Sequence, residues 1–130
     1  MDKKPPAQQG FARIWAAFGY SLNGLRFAVK TETAFRQEVM LFTLLLVILL
    51  FLPISTALKC ILLFANTLVL IVELINSAIE SIVDLASPEY HHLAKRAKDL
   101  GSAAVFVSLF LASFLWLFTV FICLYENVRP

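Results

Sequence analysis

Charge is scarce in this chain. Only 15% of its 130 residues are Asp, Glu, Lys or Arg, while 60% are hydrophobic. A soluble domain is usually about half apolar and about a quarter charged, so an ordinary water-facing surface is excluded. Glycine is scarce too, with four in all. That argues against a glycine-rich phosphate cradle. No Gly-x-x-x-x-Gly-Lys-Ser/Thr loop and no His-Arg-Asp segment occurs. Two cysteines, Cys60 and Cys123, establish no disulfide framework and read as small apolar packing residues. No leader peptide is expected, because the N-terminus is polar and the first long apolar run starts late. There is no internal repeat, no low-complexity segment and no long linker.

What the chain has instead is apolar length. Residues 39–58, 60–72 and 100–125 carry no charge. A helix needs about 20 apolar residues to cross a hydrocarbon core about 30 Å thick. The first and third runs meet that length, and the middle one meets it if its helix tolerates Glu73 and Glu80. The fold class is therefore all-α and integral to a membrane, with spans over about residues 38–52, 56–84 and 98–124. Residues 1–10 read as a flexible tail, and residues 11–130 as a single membrane domain. Over residues 11–30, Phe11, Ile14, Trp15, Phe18, Leu22, Leu25 and Val29 fall within an arc of about 100°, which marks an amphipathic helix lying at the interface. Residues 31–38 read as a polar hinge, and residues 89–98 as a charged segment that becomes helical towards its end.

Charge placement gives orientation. Lys3, Lys4, Arg13, Arg26, Lys30 and Arg36 precede the first span, and His91, His92, Lys95, Arg96 and Lys98 lie between the second and third. The positive-inside rule puts the N-terminus and this second loop in the cytoplasm and the C-terminus outside. The net charge of +2 gives no reason to expect a nucleic-acid partner.

The middle span holds Asn66, Glu73, Asn76, Glu80 and Asp84. At 100° per residue they share one face, spread over roughly 80°. An acid at mid-span costs about 2.5–3.5 kcal/mol on insertion scales, so such a stripe faces protein, cations or water rather than lipid. Glu73 lies about 21 Å along the helix from Lys59 and Glu80 about 31 Å, which sets Glu80 at the cytoplasmic boundary and Glu73 roughly 10 Å deeper. That depth suits a lipid hydroxyl. Phosphoryl transfer to an alcohol needs a base, metal on the phosphates and cationic clamps. Glu73 is then the candidate base and Glu80 a candidate magnesium ligand, with Glu32 as a second carboxylate. Lys98 suits a phosphate clamp, and Asp99 would orient it or hold metal. Asn66 reads as helix-to-helix glue. His91 and His92 read as a solvated loop, and Glu89 and Lys95 as solvated charges. The small residues of Gly101-Ser-Ala-Ala104 suit close helix packing. The pattern alone also fits a small ion-coupled transporter.

The segment Glu73-Leu-Ile-Asn-Ser-Ala-Ile-Glu-Ser-Ile-Val-Asp84 resembles the signature of the prokaryotic diacylglycerol kinase family. Ala34-Phe-Arg-Gln-Glu38 and Arg96-Ala-Lys-Asp-Leu-Gly-Ser-Ala-Ala104 resemble further motifs of its Gram-negative branch, as opposed to the undecaprenol-preferring Gram-positive one. Leu85 and Ser87-Pro88 depart from the commoner Arg and Gly-Ser. The resemblance implies a homotrimer in the bacterial inner membrane, with sites shared between subunits among membrane lipids. It implies direct transfer from ATP, with Mg2+, to diacylglycerol. By the same resemblance Glu73 and Asn76 are catalytic and Glu32 and Glu80 hold metal. Arg13, Glu32, Glu80, Lys98 and Asp99 then surround the nucleotide, Asp99 also being catalytic. Asp84 and Glu38 match further polar positions.

Overall fold

The computed structural model describes residues 10–128, so the tail expected over residues 1–10 lies, apart from Gly10, outside the described residues. The chain folds as α1 (Phe11–Thr31), α2 (Thr33–Phe51), α3 (Thr56–Ala86) and α4 (His92–Val128). No strand is present among the described residues. α2, α3 and the His92–Tyr125 part of α4 are long and apolar enough to cross a membrane.

Local chemistry sets the joints. α2 ends two residues before Pro53, which has no N–H to continue the ladder. Lys59 Nζ donates to the exposed Leu50 carbonyl at 3.2 Å. Ser55 caps α3 by accepting from the Leu58 N–H at 3.3 Å. Pro88 follows the end of α3, and His91 Nδ1 accepts the Leu93 N–H at 3.2 Å where α4 begins. The polar stretch expected to hinge over residues 31–38 is almost entirely helical. Only Glu32 leaves helical geometry, with φ −91° and ψ 111°. No Gly or Pro interrupts Thr33 to Glu38, so nothing there prevents α2 from starting early. α4 likewise begins at His92, ahead of the expected span.

α3 and α4 make the most extensive pairing in the molecule, followed by α2 with α3 and α1 with α2. The inward row of α3 runs Leu62, Ala65, Asn66, Val69, Glu73, Asn76, at spacings of three and four. The buried row of α4 is Gly101, Ser108, Ala112 and Thr119. Each is small, which lets the backbones approach. The hydroxyls of this row bond within their own helix, Ser108 to the Val105 carbonyl and Thr119 to the Leu115 carbonyl, both at 2.8 Å. Ala65, Val69 and Ala112, flanked by Leu109 and Leu115, form the core.

Little else is enclosed. Phe51, Phe64, Phe106, Phe110 and Leu117 are among many large apolar side chains left exposed. A surface of that kind is unstable in water and is explained by lipid or by other helices around it. α1 also exposes its whole apolar arc, from Phe11, Ile14 and Trp15 to Val29, and turns Ala28 inward.

Candidate active site

The carboxylate stripe of α3 points into the helix pairing, not away from it. Glu73 is only 4% exposed and Asn76 only 8%. One turn on, Glu80 is half-buried. Asn76 Nδ2 donates to Glu80 Oε1 at 3.1 Å, so the amide ties the two levels of the stripe together. The other amide atom, Asn76 Oδ1, is buried without a partner. It faces Gly101 of α4, where any Cβ would overlap it.

Two further acids join from the N-terminal half. Glu32 stands alone between α1 and α2, its Oε1 accepting from Thr31 Oγ1 at 3.1 Å. Glu38 lies one and a half turns into α2, with Oε2 buried and unpartnered. Glu73 feels the charges of both Glu80 and Glu32, and Glu38 feels that of Glu73. Acids of α2, α3 and the corner before α2 thus influence one another through space, and Glu32 itself lines a groove with Leu74, Ser77, Ala78 and Ser81 of α3. Like charges in poorly hydrated surroundings are costly unless protons or cations offset them.

A second cluster lies where α3 ends and α4 begins. Asp84, Tyr90, His91, Lys95, Lys98 and Asp99 line a cleft of about 410 Å³. Lys98 Nζ meets Asp84 Oδ1 at 2.6 Å, bridging the two helices. Lys95 Nζ meets Asp99 Oδ2 at 2.6 Å. This corrects the expectation that Asp99 orients Lys98, since Asp84 does so. Consecutive helical residues point about 100° apart and cannot face each other, whereas Lys95 and Asp99 stand four apart on one face. Lys95, read as a solvated charge, is exposed but paired. His91 and His92 stack on one another beside this cleft, with ring centroids 4.7 Å apart.

A third feature is a groove of about 360 Å³ between α2, α3 and α4, lined mostly by apolar side chains with Glu38, Asn66 and Trp116. Trp116 Nε1 donates to Asn66 Oδ1 at 3.0 Å, joining α4 to α3 at the level of the core. Asn66 therefore does act between helices. Trp116 carries no sequence signal for this contact, because it lies fifty residues away from Asn66.

The structure sets Glu73, Asn76 and Glu80 along one face of α3, places Glu32 across a groove from that helix, and places Lys98 and Asp99 near the start of α4. Arg13 is not among them. It is exposed on α1, about 28 Å along that helix from Glu32. Cys60 and Cys123 are unpaired.

No group of three or more His, Cys, Asp or Glu arranged around a metal exists among the described residues. Magnesium rarely requires one. It is commonly held by one or two carboxylates together with substrate phosphates and water. The donor chemistry of Glu32 and Glu80 fits that pattern.

Comparison with known proteins agrees with the motif. The family model for prokaryotic diacylglycerol kinase matches residues 19–120. The diacylglycerol kinase of Escherichia coli K12 is 47% identical over 107 residues, covering 82% of this chain and 88% of that protein. The diacylglycerol kinase of Pseudomonas aeruginosa is 46% identical over 109 residues, covering 84% and 89% respectively. That of Helicobacter pylori J99 is 40% identical over 114 residues, covering 88% and 89%. With its α3 signature, its three membrane-length helices and these relatives, the chain belongs to the prokaryotic diacylglycerol kinase family.

Proposed function

We propose that this protein transfers the γ-phosphoryl group of ATP directly to diacylglycerol, giving phosphatidic acid at the cytoplasmic face of the bacterial inner membrane. The observation that carries the proposal is the buried face of α3 that holds Glu73 and Asn76, with the Asn76 amide bonded to Glu80. Its proximity in sequence to the Lys98 cleft adds support, since Glu80 and Asp84 are one turn apart.

Glu73 is the general base. It accepts the proton of the lipid hydroxyl as that oxygen attacks the γ-phosphorus. The bond from the γ-phosphorus to the bridging oxygen breaks, and ADP leaves with the electron pair. Asn76 holds Glu80 in place through its amide N–H. Glu32 and Glu80 would hold magnesium, which spreads and offsets phosphate charge when bound. Lys98 exchanges Asp84 for a phosphate oxygen. Asp99 keeps Lys95 beside the same cleft. Arg13 is assigned to the nucleotide in the assembled homotrimer, where sites are shared between subunits. The N-terminus is cytoplasmic and the C-terminus periplasmic, and α1 lies along the interface.

The test is phosphorylation by purified protein in mixed micelles with labelled ATP, comparing dioleoylglycerol with undecaprenol. Preferential labelling of dioleoylglycerol is expected. Preference for undecaprenol would move the protein to the other branch of substrate choice. Ion flux in liposomes without ATP consumption would replace the kinase with a transporter.

A further inference from the structure

The corner between α1 and α2 contains a single non-helical residue, and that residue is Glu32. Where its carboxylate points depends on the angle at which the two helices meet. Helix ends leave backbone carbonyls without intrahelical partners, and near lipid an unsatisfied carbonyl costs several kcal/mol. α1 ends without a left-handed glycine to turn the chain. A side chain from the next helix takes up the carbonyls instead. Arg36 Nη1 donates to the Val29 carbonyl at 3.3 Å and to the Lys30 carbonyl at 3.1 Å. Its Nη2 donates to Thr33 Oγ1 at 2.9 Å. The Arg36 backbone N–H meanwhile donates to the Glu32 carbonyl at 3.2 Å, and the Glu32 N–H to the Ala28 carbonyl at 2.9 Å. One guanidinium thus spans the end of α1 and the first turn of α2, with Glu32 enclosed between them.

We infer that Arg36 is a positioning residue, a strut that fixes the α1–α2 corner and so holds Glu32 in the groove it shares with Leu74, Ser77 and Ser81 of α3. The inference rests on the assignment of Glu32 as a metal-holding acid. Arginine is suited to this because its planar fork presents several donors at fixed angles, whereas a lysine ammonium is a point charge on a flexible stem. The charge alone would serve the positive-inside rule equally well as lysine. Arg36→Lys therefore separates the strut from the charge.

Two readouts test it on the full-length protein. Hydrogen exchange, followed by mass spectrometry, should show faster exchange at the amides of residues 32–36 in Arg36→Lys than in wild type. The amides around Glu73 should be unchanged. In lipid phosphorylation, the magnesium needed for half-maximal rate should rise about tenfold, in the range seen when groups that orient metal ligands are removed. KM for diacylglycerol should stay the same. In a Glu32→Gln background, Arg36→Lys should add no further loss of metal affinity, with manganese binding followed by electron paramagnetic resonance where turnover is too low. Unchanged corner exchange would overturn the inference. So would additive losses in the double variant, or a loss confined to diacylglycerol KM. If wild type phosphorylates no lipid, the kinase assignment fails, and the exchange measurement still decides whether Arg36 braces the corner.

Discussion

Gly101→Ala should slow catalysis much more than it alters stability. A Cβ at Gly101 would overlap Asn76 Oδ1 and stand 3.4 Å from Asn76 Cγ and 4.0 Å from its Cα. The backbone contact is ordinary, so the amide must turn rather than the helices part. Turning it breaks the 3.1 Å bond from Asn76 Nδ2 to Glu80 Oε1. A hydrogen bond to a charged group contributes about 1.5–3 kcal/mol. If that contribution is needed in the transition state, turnover falls by roughly ten- to a hundredfold. Stability has offsetting terms. Alanine is favoured over glycine in a helix by about 1 kcal/mol, and crowding costs about 1–3 kcal/mol. Thermal inactivation should therefore shift by only a few degrees. Gly19→Ala is the control, since a Cβ there meets nothing within 4 Å. It should keep full activity. The assay is initial-rate phosphorylation of dioleoylglycerol, with inactivation half-lives measured on the same preparations. Wild-type turnover in Gly101→Ala would refute the claim that this close approach sets the Asn76–Glu80 contact.

Three further outcomes follow from contacts elsewhere. Trp116→Phe removes the donor to Asn66 Oδ1 and should cost about 1–3 kcal/mol, because the buried amide is left unsatisfied. Adding Asn66→Leu should restore most of that loss, as read from thermal inactivation. Asp84→Asn should change stability by less than about 1 kcal/mol, since Lys98 and Asp84 are both substantially exposed. It should instead alter KM for ATP, measured at fixed magnesium, by freeing Lys98. Cys60→Ala with Cys123→Ala should leave activity and stability near wild type, because neither thiol is paired.

The parts of the site that were legible in the sequence are those set by helical period. Glu73, Asn76 and Glu80 share a face by their spacing alone, and the same period turns that face toward α4 along with Leu62 and Val69. Of the small residues expected to mark a close helix approach, Gly101 does so against Asn76, while Ser102, Ala103 and Ala104 are exposed. The corner at Glu32 was not legible. Its neighbours are polar but contain no breaker, and composition cannot show that one extended residue separates two helices. Adjacency in sequence does not pair Asp99 with Lys98, whereas the four-residue spacing of Lys95 and Asp99 does pair those two. Trp116 and Asn66 meet across a long sequence separation, and so do Gly101 and Asn76. No local pattern encodes such contacts, and only the packed helices bring them together.

The account stands most directly on the role of Glu73. Wild type and Glu73→Gln should be compared for transfer of label from ATP to dioleoylglycerol, with the helical content and thermal stability of both recorded. The account predicts that Glu73→Gln folds like wild type and that its turnover falls by about two to four orders of magnitude, as loss of a general base requires. A folded Glu73→Gln protein that phosphorylates diacylglycerol at the wild-type rate would contradict it.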